Sequence, residues 1–108
     1  MDRTINIDLL RLVLLEAEPL NEKCGVLINI HGHSDSEVNL AIQLLKKNGL
    51  LEIVEGANSS VFIQRITAKG SKFLNTIRKE QDLNKIKLES MEKGIGDVRS
   101  LIKMILAS

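Results

Sequence analysis

Aromatic residues are nearly absent from this sequence of 108 residues: Phe62 and Phe73 are the only two, and neither tryptophan nor tyrosine occurs. Proteins that hold single-stranded nucleic acids by base stacking need a platform of aromatic side chains. We therefore discount single-strand binding by stacking.

Cysteine, proline and long apolar runs are also scarce. Cys24 is the only cysteine, so no intramolecular disulfide forms, and no amino-terminal segment resembles a secretion signal. No apolar run approaches the roughly 20 residues that cross a bilayer. These absences predict a cytoplasmic protein with no membrane partner. At this length and 44% hydrophobic content the chain suits one compact domain.

A strong net charge is missing too, although the charge is unevenly distributed. The formal net charge is +1, and the isoelectric point of about 7.9 is below that of a typical DNA-binding domain. Residues 1–60 contain five basic and nine acidic residues, a net charge of −4, so residues 61–108 carry +5. This asymmetry favours either one basic face or subunits that pair head to tail.

The clearest positive signal is a helix predicted over residues 35–48, with both ends marked. Ser34 and Glu37 have the spacing of a capping box, and Gly49 supplies the left-handed residue that ends a helix. Between them, apolar residues recur at helical spacing: Val38, Ala41, Ile42 and Leu45. A hairpin of two strands, 50–55 and 61–66, follows across a turn-forming segment, residues 56–60. A helix that leads directly into such a hairpin is typical of the third helix and wing of a winged helix.

The remaining elements complete an α+β fold. Helices are predicted over residues 4–17 and 68–79 and from residues 82 and 97 onward, and a strand is predicted over residues 26–30. We expect residues 1–80 to form the winged-helix core, with a small antiparallel wing sheet. Residues 81–108 are expected to form a helical extension packed on the same domain.

Three segments also resemble an uncharacterised winged-helix family of phages, prophages and other bacterial mobile elements, close to the YjcQ-like group. They are residues 30–34, the helix end at residues 44–51, and the Thr-x-x-Gly-x-x-Phe-Leu-like motif at residues 66–74. The resemblance implies the winged-helix fold and a mobile-element setting. It transfers no functional residue.

Binding to double-stranded DNA is the first function that a winged helix suggests, because its third helix lies in the major groove and its wing contacts the backbone. Asp35 and Glu37 in the first turn of that helix, and a wing tip without lysine or arginine, argue against a simple version. The alternative is a core helix with a solvated face. The predicted DNA contacts are Ser36, Asn39, Gln43, Lys46, Lys47, Arg65, Lys69 and Lys72.

A second basic surface is the other candidate for phosphate contacts, although charge runs on helices are more often just solvated. It comprises Lys69, Lys72, Arg78, Lys79, Lys85 and Lys87.

Metal binding and catalysis find little support. His31, His33 and Cys24 are too few for a closed structural zinc site. Cys24 and His31 lack a third orienting group and an oxyanion hole. No strand precedes the Gly-Ile-Gly segment at residues 94–96, so it is not a dinucleotide fingerprint. We expect no enzyme, no metal and no cofactor.

Protein association is the competing class of function. The first helix is apolar nearly all round, and the last is strongly amphipathic, so five residues are predicted to lie in a homodimer interface: Leu12, Leu15, Leu101, Met104 and Ile105. The equally weighted alternative is that these residues pack within one subunit.

A further alternative is a phage-encoded protein that inhibits or modulates a host enzyme or defence complex. Its docking surface, or nucleic-acid mimic, would be an acidic face: Asp35, Glu37, Glu52 and Glu55.

Overall fold

A computed structural model describes residues 7–21, 25–56, 61–94 and 98–106. Five helices and one two-stranded sheet make up the described fold: α1 (Ile7–Ala17), α2 (Asp35–Lys47), β1 (Leu51–Glu55), β2 (Val61–Ile66), α3 (Ala68–Ile77), α4 (Glu80–Glu92) and α5 (Val98–Leu106). The arrangement is mixed α+β and fits a winged-helix-like order of elements. The predicted helix start at Thr4 and the turn at residues 57–60 lie outside the described residues. No described helix has the length and apolar character needed to span a bilayer.

The first helix, α1, is covered by the chain's own helices. It packs against α2, α3 and β2, and Val13 and Leu14 are fully buried. Leu12 and Leu15, on its other side, are partly buried against the same core. The second layer therefore comes from within the domain, which is one of the two arrangements that the sequence left open.

The strand predicted over residues 26–30 is reduced to a single bridge. Val26 and Ile63 exchange two backbone hydrogen bonds of 2.8 Å, in antiparallel geometry. Beyond that point the segment forms no further bridge to β2, and a cavity of about 150 Å³ has Leu27, Ile28 and Val61 among its lining residues. The β-branched residues correctly indicated extended backbone, but the pairing of this segment with β2 ends after one residue.

The ends of α2 follow the sequence signals. The Glu37 amide donates to the Ser34 hydroxyl (3.2 Å), and the Ser34 amide donates to the Glu37 carboxylate (3.1 Å), so both halves of the capping box are present. At the other end Asn48 is the cap, and Gly49 has a φ of 80°. The helix therefore turns sharply into β1.

The hairpin contains an irregularity that the sequence pattern did not indicate. Leu51 pairs with Ile66 and Glu52 with Arg65, but Ile53 pairs with Ile63, so Gln64 is an extra residue on β2. Such a bulge bends its strand and increases the local twist.

Helix α3 begins unusually close to the turn after α2. Thr67 caps it by accepting from the Gly70 amide (3.0 Å), and Gly70 itself is buried against Leu50. A Cβ atom added at Gly70 would lie 2.2 Å from the Leu50 carbonyl oxygen. Glycine is therefore required here for the close approach of helix and turn.

The core is entirely apolar. Helices α4 and α5 both pack against α3, and residues from all five helices and both strands belong to one buried cluster. No polar or charged side chain is buried among the described residues. Phe73 is the largest fully buried side chain, and the rest of the core is aliphatic.

Candidate nucleic-acid interface

The solvent-facing side of α2 is partly polar. At 3.6 residues per turn, four residues lie opposite its buried stripe: Ser36, Leu40, Gln43 and Lys47. Asn39 and Lys46 lie together at one flank of this face. Leu40, which the sequence pattern did not single out, is 62% exposed at its centre.

The charge on α2 changes along its length. Asp35 and Glu37 are in the first turn, and Lys46 and Lys47 are in the last. This order matches the helix dipole, which favours acids at the amino end and bases at the carboxyl end. The positive charge of α2 is therefore concentrated at its carboxyl end.

Four cationic side chains surround a cavity at that end of α2, and we call it the basic pocket. Its volume is about 360 Å³, and it is lined by Lys47, Asn48, Lys69, Arg99, Ile102, Lys103 and Leu106. No carboxylate is among the lining residues. The four cations are exposed and form no ion pair with any described residue.

Backbone contacts hold the pocket's two inner walls together. The Lys69 ammonium donates to the Asn48 carbonyl oxygen (3.1 Å), and the Thr67 hydroxyl donates to the Gly49 carbonyl oxygen (2.7 Å). The Thr67 amide also donates to the Leu50 carbonyl oxygen (3.0 Å). These bonds fasten the end of α2 to the start of α3, so Lys47 and Lys69 keep a defined separation.

Helix α5 supplies the third wall. Ile102 is 2% exposed and anchors the helix in the core, while Arg99 and Lys103, one turn apart, project towards the pocket. Both side chains are exposed, but the sequence pattern did not indicate that they line one pocket with Lys47. That arrangement depends on tertiary packing between segments about fifty residues apart. Asp97, just before α5, lies outside the described residues.

The structure separates the predicted DNA contacts into groups. Lys47 and Lys69 meet at the basic pocket, and Lys72 follows on the exposed side of α3. Arg65, on β2, forms an ion pair with Glu52 at 2.9 Å. That carboxylate offsets part of the Arg65 charge, which weakens the prediction of Arg65 as a phosphate contact.

Two members of the second basic surface are neutralised. Arg78 pairs with Glu18, with one N–O distance of 2.9 Å, and Lys87 pairs with Asp8 at 2.8 Å. These pairs join α3 to the end of α1 and α4 to its start. We therefore give Arg78 and Lys87 no part in the interface, whereas Lys69 lines the basic pocket.

Two carboxyl groups have lowered pKa values. The Ser34 backbone amide, then His33 and the Ser34 hydroxyl, hold the pKa of Glu37 below its usual 4.5 by hydrogen bonding to the ionised form. The hydrogen bonds from Arg78 lower the pKa of Glu18 in the same way, and Glu18 raises the pKa of Arg78. Glu37 is therefore occupied with capping α2.

Comparison with known protein families assigns the chain to one of them. A family model with the description "Hypothetical protein (DUF2513)" matches residues 4–96. The chain belongs to the DUF2513 family. The match spans α1 to α4 and the hairpin, and α5 lies beyond it. No curated protein and no solved structure matches the chain. The expectation of an uncharacterised family is confirmed at this level.

In this DUF2513 protein, the apolar residues predicted for a dimer interface pack mainly within the chain. Leu101 and Ile105 are 2% and 0% exposed, so the structure places both in the core instead of on a surface. Met104 is partly buried against the same cluster. The exposed large apolar residues lie elsewhere among the described positions: Leu27, Leu40, Leu88 and Met91.

The histidines of the DUF2513 chain form no assembled metal centre with described residues. His31 is exposed, and His33 lies 3.4 Å from the Glu37 carboxylate. Cys24 is outside the described residues. Across residues 7–21, 25–56, 61–94 and 98–106, no three potential ligands are grouped for a metal ion.

Proposed function

We propose that this protein is a non-enzymatic, winged-helix DNA-binding protein that acts as a transcriptional regulator or accessory module. The observation that carries the proposal is the group of cations at the carboxyl end of α2, the end that leads into the β1–β2 hairpin, which no described carboxylate neutralises. In winged helices the corresponding helix and hairpin are the elements that contact duplex DNA.

The polar residues of α2 support a role in contacting DNA. Ser36 and Gln43 lie on the same exposed face as Lys47, and such side chains hydrogen-bond to base edges or phosphates. The likeness of residues 30–34, 44–51 and 66–74 to winged-helix proteins of mobile elements also supports a phage or prophage origin. We place its site of action in the cytoplasm.

Binding to a labelled duplex of random sequence tests the proposal, measured by fluorescence anisotropy at several salt concentrations. The expected result is an affinity that falls steeply as salt rises, because binding to phosphates releases counterions. Substituting Lys46 and Lys47 with glutamate should weaken binding uniformly across sequences. It should also reduce the slope of log affinity against log salt by about 1 for each phosphate that is no longer neutralised.

A matched control removes the general effect of net charge. Lys79 and Lys85 are exposed, form no ion pair with described residues and lie outside the basic pocket. Substituting both with glutamate changes the net charge equally but should leave the salt slope in place. The proposal is abandoned if the unmodified protein shows no salt-dependent binding to duplex DNA.

A homodimer is part of the proposal, and sedimentation tests it separately. Winged helices often pair through their outer helices. Of the residues first predicted to pair, Leu12, Leu15 and Met104 keep partial exposure. A monomer at all accessible concentrations contradicts the dimer without affecting the DNA experiment.

A second candidate is a protein-interaction factor that modulates a host enzyme or defence complex. Its supporting observation is Leu40, which is 62% exposed at the centre of the α2 face. The acidic version is less favoured, since Glu37 caps α2 and Glu52 pairs with Arg65. A host protein recovered from lysate after nuclease treatment, and no longer recovered with Leu40→Glu, favours this candidate over DNA binding.

A further inference from the structure

We infer that the basic pocket is a binding site for a phosphate group. Lys47, Lys69, Arg99 and Lys103 surround one cavity with no carboxylate in its lining. An anion bound there would be attracted by several positive charges that line the same space. This inference rests on the same cations as the proposed DNA-binding function, and the experiments below distinguish the two.

Helix stabilisation accounts for three of the four cations. Lys47 and Lys103 lie in the last turns of α2 and α5, where positive charge is favourable. Lys69 lies in the first turn of α3, but its ammonium donates to the carbonyl oxygen of Asn48, the C-cap of α2 (3.1 Å), so its charge also lies at a helix carboxyl end. Arg99 lies in the first turn of α5, which contains no acidic residue, and positive charge is unfavourable at a helix amino end. A phosphate bound in the basic pocket would offset the charge of Arg99.

The volume of the pocket is sufficient for a small anion with an attached apolar part. That volume, about 360 Å³, falls in the range of small-molecule sites, roughly 300–1,000 Å³. Its apolar lining consists of Ile102, which is buried, and Leu106, which is half-buried. Lys69 is already held by the Asn48 carbonyl oxygen at 3.1 Å, which fixes one donor before any ligand arrives. The phosphate belongs either to a DNA backbone or to a free phosphorylated small molecule.

Thermal unfolding with inorganic pyrophosphate tests the inference, against sodium chloride at equal ionic strength. The expected result is a saturable rise in the melting temperature. At ten times the dissociation constant the rise is about 6 °C for a chain of this length. Replacing Arg99 and Lys103 with glutamine should abolish it, and both are exposed, so the variant is expected to fold.

The matched control is the Lys79→Gln, Lys85→Gln variant, which also loses two positive charges, but at positions outside the pocket. It should keep the full rise. A rise no larger than that in chloride overturns the inference. So does a rise that survives in the Arg99→Gln, Lys103→Gln variant.

Duplex DNA then distinguishes the two sources of phosphate. If Arg99→Gln, Lys103→Gln lowers DNA affinity and pyrophosphate competes with DNA, the phosphate is that of the backbone. If DNA binding is unchanged while the pyrophosphate effect disappears, the pocket binds a free phosphorylated ligand. Pyrophosphate binding without any DNA binding supports the phosphate site and refutes the proposed DNA-binding function. DNA binding without pyrophosphate binding refutes the phosphate site and supports the DNA-binding function.

Discussion

Substituting Gly70 with alanine should destabilise the protein, although alanine normally favours a helix. Gly70 lies in the first turn of α3, and its Cβ would lie 2.2 Å from the Leu50 carbonyl oxygen and 3.1 Å from the Leu50 carbonyl carbon. Both atoms are backbone and cannot rotate away. Helix and turn must therefore move apart.

The size of the effect is the difference between two opposing contributions. Alanine in place of glycine stabilises a helix by about 1 kcal/mol. Overpacking a tight contact costs about 1–3 kcal/mol, and a backbone clash belongs at the upper end. The expected net loss is about 2 kcal/mol, or a fall of about 9 °C in the melting temperature for a chain of this length.

Calorimetry or circular dichroism measures the fall, with Lys72→Ala as the control. Lys72 is exposed on α3 and has no side-chain partner among described residues, so its substitution should change stability little. A Gly70→Ala protein that is as stable as the original, or more stable, would refute the close approach of α3 to the turn after α2.

Three further predictions concern other contacts. Gly49→Ala should lower the free energy of unfolding by about 1 kcal/mol because of the φ of 80° alone, since the nearest atom to the added Cβ is 4.0 Å away. Urea unfolding should show a smaller loss of stability for this variant than for Gly70→Ala. Arg11 donates to carbonyl oxygens at the end of α3 at 2.6–3.1 Å, so Arg11→Met should lower the free energy of unfolding by about 1.5 kcal/mol in the same assay. Arg65→Met is the control, and an equal loss of stability in that variant would contradict a specific role for the Arg11 contacts. The lowered pKa values of Glu18 and Glu37 give stability that is complete above the usual pKa of 4.5 and is lost as pH falls through the folded values. Melting temperature measured from about pH 6 to pH 3 should therefore decline, and Glu18→Gln or Glu37→Gln should flatten that decline.

Local signals in the sequence predicted the centre of the fold closely. The predicted helix over residues 35–48 is observed as α2, Asp35–Lys47, and the predicted strand over residues 50–55 as β1, Leu51–Glu55. Ser34, Glu37 and Gly49 mark these boundaries through contacts between residues only a few positions apart. Because caps and turns are local, a single sequence carries them in full.

Features that depend on distant residues were not predictable. The single bridge at Val26 depends on how β2 meets a segment far away along the chain, and the bulge at Gln64 lies next to the bridged residue, Ile63. The basic pocket needs α5 to pack beside the end of α2. Burial of Leu101 and Ile105 likewise follows from docking on α3, which the amphipathic pattern of α5 alone leaves open.

The aliphatic core has a consequence for how this molecule tolerates change. Where the buried positions hold only leucine, isoleucine, valine and a few other apolar residues, exchanges that conserve volume cost less than about 1.5 kcal/mol each. A library that shuffles these interior positions should therefore yield many folded members. The same library must keep Arg11, Thr67 and Gly70 constant. Arg11 and Thr67 form hydrogen bonds between separate elements, and Gly70 permits the close approach of α3 to Leu50, so these three residues fix how the helices are oriented around a core whose side chains can be exchanged.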